Sequence, residues 1–555
     1  MKRVNQLNFG FSDAVNYRAA DAQPLLNLFF VEDDQVSRVC EPQISFLVGE
    51  KGTGKTACAA FLSGGTGAAP HRASCKTVFL MDNDYDGLLD LAHRKGLPEP
   101  SYPQIWKLVL LLVLIDHVRR ILPEAERPAP LVAAAAAIDQ FFANAFNGEV
   151  FWALQLVSEA PKAAQCFAAT AGTPLPEAFD DAGLLPALLF AQRSLLASLT
   201  GARDPRRFII FIDGIDVRPP RMQYEDFIKS VKALVNAVWS VNEELSHHSQ
   251  ELQAKFVLLV RPDILDTVGM QNLNNRMRDN AVMLDWQTTY QNYRHSKLFQ
   301  LADKMLSSQQ RPEALAALAP GATCWDYYFP YKVWNNRQNA QTDSSFIPFL
   351  RSSFYRPRDI TTYLEVMRGS KVERGQGDGH AFTRDDFDES MVRRRYSEYL
   401  LGEVKDSLQF YYAADEYELF LKFFAYLAPS LTGDEFTYES FQLAYADLMD
   451  YIRSSAMDRP VIFQSADRFL QFLYELNIIC FIEPNDFHAR GMIMRWCFRE
   501  RSYANIRPKV RSGLRYKMHY GIARALNAAR GSAGPRPGAD AAGGRASSRR
   551  RPKEP

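Results

Sequence analysis

Gly49, Gly52, Gly54, Lys55 and Thr56 fall within one eight-residue stretch, Gly49-Glu50-Lys51-Gly52-Thr53-Gly54-Lys55-Thr56, and match the spacing G-x-x-x-x-G-K-S/T. Glycine permits backbone conformations that turn N–H groups inward around a phosphate chain. Lys55 supplies a compact positive charge for the β- and γ-phosphates, and the Thr56 hydroxyl is a Mg²⁺ ligand. Such a site also needs a carboxylate at the tip of a nearby strand. The run Phe208-Ile209-Ile210-Phe211-Ile212-Asp213 ends in one, and Gly214-Ile215-Asp216 follows. The metal ligands expected are Thr56 and Asp213. A further run, Lys255 to Val260, ends in Arg261-Pro262-Asp263 and puts a guanidinium at the carboxyl end of a buried strand, where ligands of open α/β sheets bind. Arg276 and Arg278, just before the last core strand, are candidates to serve a neighbouring copy's nucleotide. A solvated charged loop is the equal alternative.

These residues need elements to hold them. Ile44, Phe46, Leu47 and Val48 form an apolar strand before the glycine loop, and small and apolar residues at helical spacing follow Lys55. The positive end of that helix aims at the same phosphates. Thr77–Met81, Arg207–Asp213, Lys255–Val260 and Ala281–Leu284 read as further strands and Ile228–Leu245 as an amphipathic helix. Strands alternating with helices imply a parallel sheet covered on both faces. Residues 100–205 are helical in pattern and exceed what one crossover needs, so they read as an insertion between two strands. Leu25–Val39 contains Phe29 and Phe30, which either border a nucleobase or pack in the core.

The chain has 555 residues, 47% of them hydrophobic and 23% charged, with a net charge of +1. The length calls for about three or four domains. The near-zero charge makes no global case for nucleic acid or membrane. Seven scattered cysteines without a C-x-x-C pair suit reduced thiols in a cytoplasmic protein, with Cys58 a packing residue. The apolar run Leu108–Ile115 is too short to cross a bilayer and reads as a buried helix.

The domains expected are a core of residues 1–99 and 206–288 with the insertion 100–205. A helical lid (289–370), a linker and helix (371–409), a final domain (410–527) and a disordered Gly/Ala/Pro/Ser/Arg tail (528–555) follow. Gly369–His380 reads as a linker or exposed loop, and Cys324–Asn335 in the lid reads as helical. The final domain shows helices at 411–428, 436–452 and 465–476, a strand at Ile478–Ile482, a turn, and an alternating strand from 491 to 498. Three helices and a hairpin are the winged-helix order. Residues 499–530 carry Arg499, Arg501, Arg507, Lys509, Arg511, Arg515, Lys517, Arg524 and Arg530 against Glu500 alone, a composition able to grip phosphate backbones. Its third helix offers only Arg468 and Gln471 to read bases. Protein contact and DNA contact both stand as roles for this domain.

VGEKGTGKT (48–56), FIDGID (211–216), LLVRPD (258–263), NNRMRDNAVMLDW (274–286), FYRPRDI (354–360) and RWCFRERSYANI (495–506) together resemble a bacterial family of P-loop ATPases in the AAA+/STAND/KAP-like group, over most of the chain up to about residue 527. The resemblance implies an α/β fold: a parallel-sheet P-loop NTPase core with a large helical insertion, a helical lid and a C-terminal winged-helix domain. It implies ATP and Mg²⁺ as cofactors, Lys55, Asp213, Asp216 and Arg261 as catalytic residues, and Arg261 as γ-phosphate sensor. Residues 49–56 would bind the nucleotide, with Arg356 or Arg358 as the lid's own sensor. Where AAA+ ATPases carry Glu after the strand-end Asp, this chain has Gly214. Either Asp216 orients the attacking water or hydrolysis is slow. The absence of N-K-x-D after Asp213 favours ATP over GTP. The function implied is an ATP-dependent switch, in signalling or antiviral defence, homo-oligomeric or not. The alternative is an ATP-regulated DNA-binding protein, and a third reading is a housekeeping NTPase whose inserted helices bind a small molecule.

Overall fold

The computed structural model describes residues 1–19, 21–64, 73–94, 96–141, 153–154, 157, 159–171, 184–220, 222–248, 252–269, 273–334, 342–408, 410–411, 416–455, 459–484, 492–502, 505 and 507–528. The tail expected beyond residue 528 and the turn after Pro484 lie outside these residues.

Five parallel strands form the first sheet: β1 (Phe46–Val48), β2 (Ala73–Phe79), β3 (Asp204–Asp213), β4 (Leu252–Val260) and β5 (Ala281–Met283). Their order is β2-β3-β4-β1-β5. Alternation along β3 shows why these residues make a sheet covered twice. Phe208, Ile210 and Ile212 enter one core with the helix Tyr224–His248, while Ile209 and Phe211 enter another with Val36, Val39 and Cys58. Because every strand runs the same way, Val48, Asp213 and Val260 all end at one edge of the sheet. Strand β2 begins and ends earlier than the pattern suggests. The polar Asp82-Asn83-Asp84 after it opens a helix, Asp82–Arg94, that its sparse apolar residues concealed.

Residues 100–205 do form helices, at Tyr102–Ile121, Ala129–Phe141, Ala160–Ala171 and Leu184–Ser198. They are not a separate body. Tyr102–Ile121 shares the sheet's core, and Trp106 Nε1 donates to Ser230 O at 3.2 Å. Among the described residues this is the one helix long and apolar enough to cross a membrane, yet 89% of its apolar window is buried in protein.

A second core joins parts that read as separate in the sequence. It takes in the helices Lys297–Ser307, Pro357–Glu373, Ser390–Leu408, Tyr438–Ser454 and Ala466–Glu475. Val4, Leu7 and Phe9 also belong to it, so the first residues pack on the expected lid rather than on the sheet. Gly369–His380, read as a linker or exposed loop, is ordered. It ends the helix Pro357–Glu373 and then receives the N-terminus, with Val4 N donating to Gly379 O and Asn5 N to Gly377 O, each at 2.9 Å. Cys324–Asn335 is helical only to Tyr328. Lys332–Trp334 (β6) pairs antiparallel with Thr342–Ser344 (β7).

The final region opens with the helices Glu416–Leu427, Tyr438–Ser454 and Ala466–Glu475, adds the short helices Cys497–Glu500 and Ala523–Ala528, and has an antiparallel sheet ordered β10-β9-β11-β8. Its strands are β8 (Glu435–Thr437), β9 (Ile479–Pro484), β10 (Met492–Arg495) and β11 (Arg515–Met518). The basic stretch hid β11, and five of its charges pair with carboxylates of the chain. Arg501 pairs with Glu50, Arg507 with Asp266 and Glu475, Arg511 with Glu483, Arg515 with Glu435, and Lys517 with Asp434. Gln471, a candidate base reader, donates to Glu475 and to Pro508 O.

His519 sits where the two helical regions meet, 3% exposed. Gly521 N–H donates to its Nδ1 at 3.2 Å, so the ring proton lies on Nε2 and is donated to Ser353 O at 3.2 Å. Burial holds the imidazole neutral and takes its pKa down to about 3, while the Ser353 carbonyl opposes the shift. In the unfolded chain the ring titrates near 6.5. The unfolded state therefore binds the extra proton between about pH 6.5 and 3, and stability falls as pH drops through that window. Replacing His519 by Gln is expected to flatten denaturant-measured stability between pH 6.5 and 5 by up to about 1.4 kcal/mol per pH unit. A slope equal to that of the parent would show that the ring does not titrate with folding.

Candidate functional site

The loop 49–56 leaves β1 and turns into the helix Lys55–Ser63. Gly52 and Gly54 sit at φ +81° and +94°, a region L side chains rarely enter, and this is how the loop curls around an open centre. Gly54 is the helix N-cap and carries no side chain to cap it. The first backbone N–H groups of the helix have no partner four residues back, so they and the positive end of the dipole are free to serve an anion.

Lys55 is only 8% exposed, and its Nζ donates to Gly49 O at 2.8 Å and Glu50 O at 3.1 Å. Burial lowers its pKa, and the Asp216 and Asp213 carboxylates oppose that. Thr56 Oγ1 donates to Asp213 Oδ2 at 2.6 Å, and Gly214 N–H donates to Asp213 Oδ1 at 2.9 Å. Burial and then the charge of Asp216 raise the Asp213 carboxyl, against Thr56 and Lys55. A hydroxyl and a carboxylate this close are the oxygen donors that a small hard cation takes beside phosphate.

These groups open onto a cavity of about 370 Å³. On the loop side it is lined by Lys55, Thr56, Asp213, Asp216 and Arg358. On the side of the N-terminal segment and the helix Lys297–Ser307 it is lined by Phe9, Phe11, Tyr17, Phe29, Phe30 and Met305. Phe30 also stacks on Phe61 of the glycine-loop helix, with ring centres 4.2 Å apart. Phe29 and Phe30 thus belong both to the packing and to the cavity wall. Phe9, Phe11 and Tyr17 carry no motif, and sequence reasoning missed them. A cavity with a cationic, hydrogen-bonding side and an aromatic side suits a molecule with a phosphate chain and a planar ring.

Gly214 has φ +92°, and a Cβ there would lie 2.4 Å from Leu80 O. The position where an acidic residue would follow Asp213 is thus closed to any side chain. Gly214→Ala is expected to cost about 2 kcal/mol or more in urea unfolding. An unchanged midpoint would mean the turn relaxes freely.

Arg261 does not line this cavity. It lies behind the loop, 3% exposed, with Nε donating to Asp263 Oδ1 at 3.0 Å. Burial alone would raise the Asp263 carboxyl. The charge and hydrogen bonds of Arg261, with the Tyr411 hydroxyl at 2.8 Å, outweigh it and hold that carboxyl far below the usual range. The guanidinium Nη1 is buried with no partner among the described residues. The residue expected to sense a γ-phosphate is thus held in an ion pair with Asp263, two residues on, and is not on the wall of this cavity. Arg356 is also buried. Nη1 donates to Lys51 O at 2.8 Å, and the remaining donors hold Asp359. Of the two lid candidates, Arg358 is the one at the cavity, and it also lies 3.3 Å from Glu403. Arg276 and Arg278 precede β5, at the end of the sheet away from the loop. Arg276 stacks over Trp239 at 4.4 Å, and Arg278 donates to Asn275.

The loop's outer residues face the helical regions. Glu50 accepts from Asn477 at 3.2 Å and from Arg501. Lys51 pairs with Asp406 and lies 3.9 Å from Glu403. Trp286 Nε1 donates to Thr53 O at 2.8 Å.

No family model matches the chain, and no curated protein or solved structure matches it either.

Proposed function

We propose that the chain is an ATP-binding switch: a P-loop NTPase core whose nucleotide state is coupled to a helical lid and a winged-helix-like C-terminal region. One observation carries the reading. The Thr56 hydroxyl meets the Asp213 carboxylate at 2.6 Å, beside Lys55 and the uncapped start of the helix, in a cavity with an aromatic wall. In this reading residues 49–56 and Arg358 hold the phosphates, the aromatic wall takes the base, and Thr56 and Asp213 hold Mg²⁺. The ion, when bound, neutralises phosphate charge.

Asp216 lines the cavity and is the carboxylate left to orient water, since Gly214 admits no side chain. The coupling runs through the back of the loop. Glu50 is held by Asn477 and Arg501, Lys51 by Asp406, and the Lys51 carbonyl by Arg356. Any shift of the loop on loading pulls on contacts to the lid and to the C-terminal region at once. Pairing of the basic segment with internal carboxylates favours this protein-contact role over DNA binding.

Calorimetric titration of the full chain with ATP, ADP and GTP, with and without Mg²⁺, tests the proposal when combined with small-angle scattering. ATP is expected to bind with Mg²⁺-dependent affinity and to change the radius of gyration relative to ADP. Absence of nucleotide binding, or one scattering curve in all states, would overturn it.

A further inference from the structure

A second cavity, of about 430 Å³, lies on the far side of the lid helices and shares none of its lining with the first. Its volume is within the range of small-molecule sites. Tyr363, Phe387 and Tyr396 provide aromatic walls. Tyr363 stacks on Phe387 with centres 4.8 Å apart and planes 6° apart, and Tyr396 approaches Tyr363 at 4.2 Å. The three are fixed by burial, so the surface they present is preformed.

Charge is distributed unevenly around these rings. Arg393 and Arg524 both line the cavity, and so does one carboxylate, Asp434. Asp434 is neutralised by Lys517 at 3.0 Å, and Arg393 is paired with Asp388. Arg524 is exposed and has no carboxylate partner among the described residues. Tyr520, 59% exposed, stands among the lining residues and adds a fourth aromatic ring at the solvent side. Gly521 lets the chain close here, since a Cβ on it would lie 2.4 Å from Ser352 O. The cavity thus offers flat apolar walls, a guanidinium without a carboxylate partner among the described residues and an exposed aromatic ring.

We propose that this cavity is a second ligand site, for a small molecule that joins a planar ring to an acidic group, with the ring against Tyr363, Phe387 and Tyr396 and the acid on Arg524. Stacking on aromatic side chains and a charge-assisted bond to a guanidinium are the two interactions such a molecule needs. The helix Ser390–Leu408 carries Tyr396 at this cavity and Glu403 and Asp406 against Lys51 on the outer side of the glycine loop, so one element runs from this cavity to the loop.

Saturation-transfer NMR on the full chain tests this, with phenyl phosphate, benzoate, AMP and phenol as probes. The Lys55→Met background removes the first site from the measurement. Phenyl phosphate, benzoate or AMP is expected to receive saturation at its ring protons, and phenol to bind at least tenfold more weakly. Arg524→Glu, an exposed change, is expected to weaken the acidic probes at least tenfold, and Ala523→Trp to block them. Thermal melting checks that both variants fold, and Arg524→Glu decides the matter if Ala523→Trp does not. The proposal is overturned if no acidic probe binds, if phenol binds as well as phenyl phosphate, or if Arg524→Glu leaves binding unchanged. It is also overturned if AMP is the only acidic probe to bind the parent and that binding disappears with Lys55.

Discussion

Lys55→Met is expected to lower the affinity for ATP with Mg²⁺ by about 100-fold or more and to leave the fold intact. The ammonium is buried at the loop and is held there by two of the loop's own carbonyls, Gly49 and Glu50. It is the cation that the loop encircles, and phosphate oxygens are better partners for it than neutral carbonyls. Charge-assisted hydrogen bonds contribute about 1.5–3 kcal/mol each. Losing two of them corresponds to about 3–6 kcal/mol, and every 1.4 kcal/mol is a factor of ten in affinity. Methionine is close to lysine in volume, so the loop keeps its packing. Because the lysine is buried against Asp213 and Asp216, its removal leaves those carboxylates less compensated. Burial outweighs that compensation for the ammonium itself, so the nucleotide-free variant is expected to melt no lower than the parent. Calorimetric titration measures the affinity. A variant that binds ATP within threefold of the parent would remove the loop from the nucleotide site.

Asp213→Asn is expected to keep nucleotide binding and to lose about 100-fold or more of any Mg²⁺-dependent turnover. Removing one group that stabilises a developing charge typically costs a factor of about 10²–10³. Here the carboxylate both orients the Thr56 hydroxyl and supplies the negative charge of the site. A second readout separates this role from a structural one. Burial and Asp216 disfavour the Asp213 carboxylate in the folded protein. A carboxyl whose folded pKa is raised binds its proton more tightly in the native state, so the nucleotide-free parent gains stability as pH falls through that pKa. The neutral amide removes the penalty at pH 7. The variant should melt above the parent without nucleotide and gain less from Mg²⁺ and ATP together. Turnover within a few-fold of the parent's would place the metal on another carboxylate, and a melting point below the parent's without nucleotide would show that the Asp213 carboxylate supports the fold instead of costing it.

The two predictions draw on different parts of the chain, and those parts were not equally legible. Residues 49–56 could be read directly, because a strand, a glycine loop and a helix start are consecutive and each is specified by local residue types. Asp213 was legible for the same reason, as the polar end of an apolar run. The carboxyl-end placement of Arg261 was legible too, but its partner was not. Asp263 captures it, and whether a guanidinium points forward to a ligand or back to a neighbour depends on which carboxylate the fold brings closest.

The sequence by itself determined the parallel sheet, the glycine loop and the strand-end carboxylate. Periodicity, glycine and β-branched runs act over a few residues, and the parallel arrangement follows from their alternation. Only the tertiary structure decided three other things. It brought Phe9, Phe11 and Tyr17 of the N-terminal segment to the wall opposite Lys55, although no pattern in those residues marks them. It joined Glu50 to Arg501, 451 residues apart, and so put part of a basic segment whose composition could grip phosphate backbones on the inner face of a contact. It closed position 214 by placing the Leu80 carbonyl against it. In each case the deciding quantity is the proximity of groups distant in the chain, set by how the helices pack over the sheet. Residue types alone do not encode such proximity, because the same arginine or glycine is compatible with solvent, with a ligand or with a buried partner.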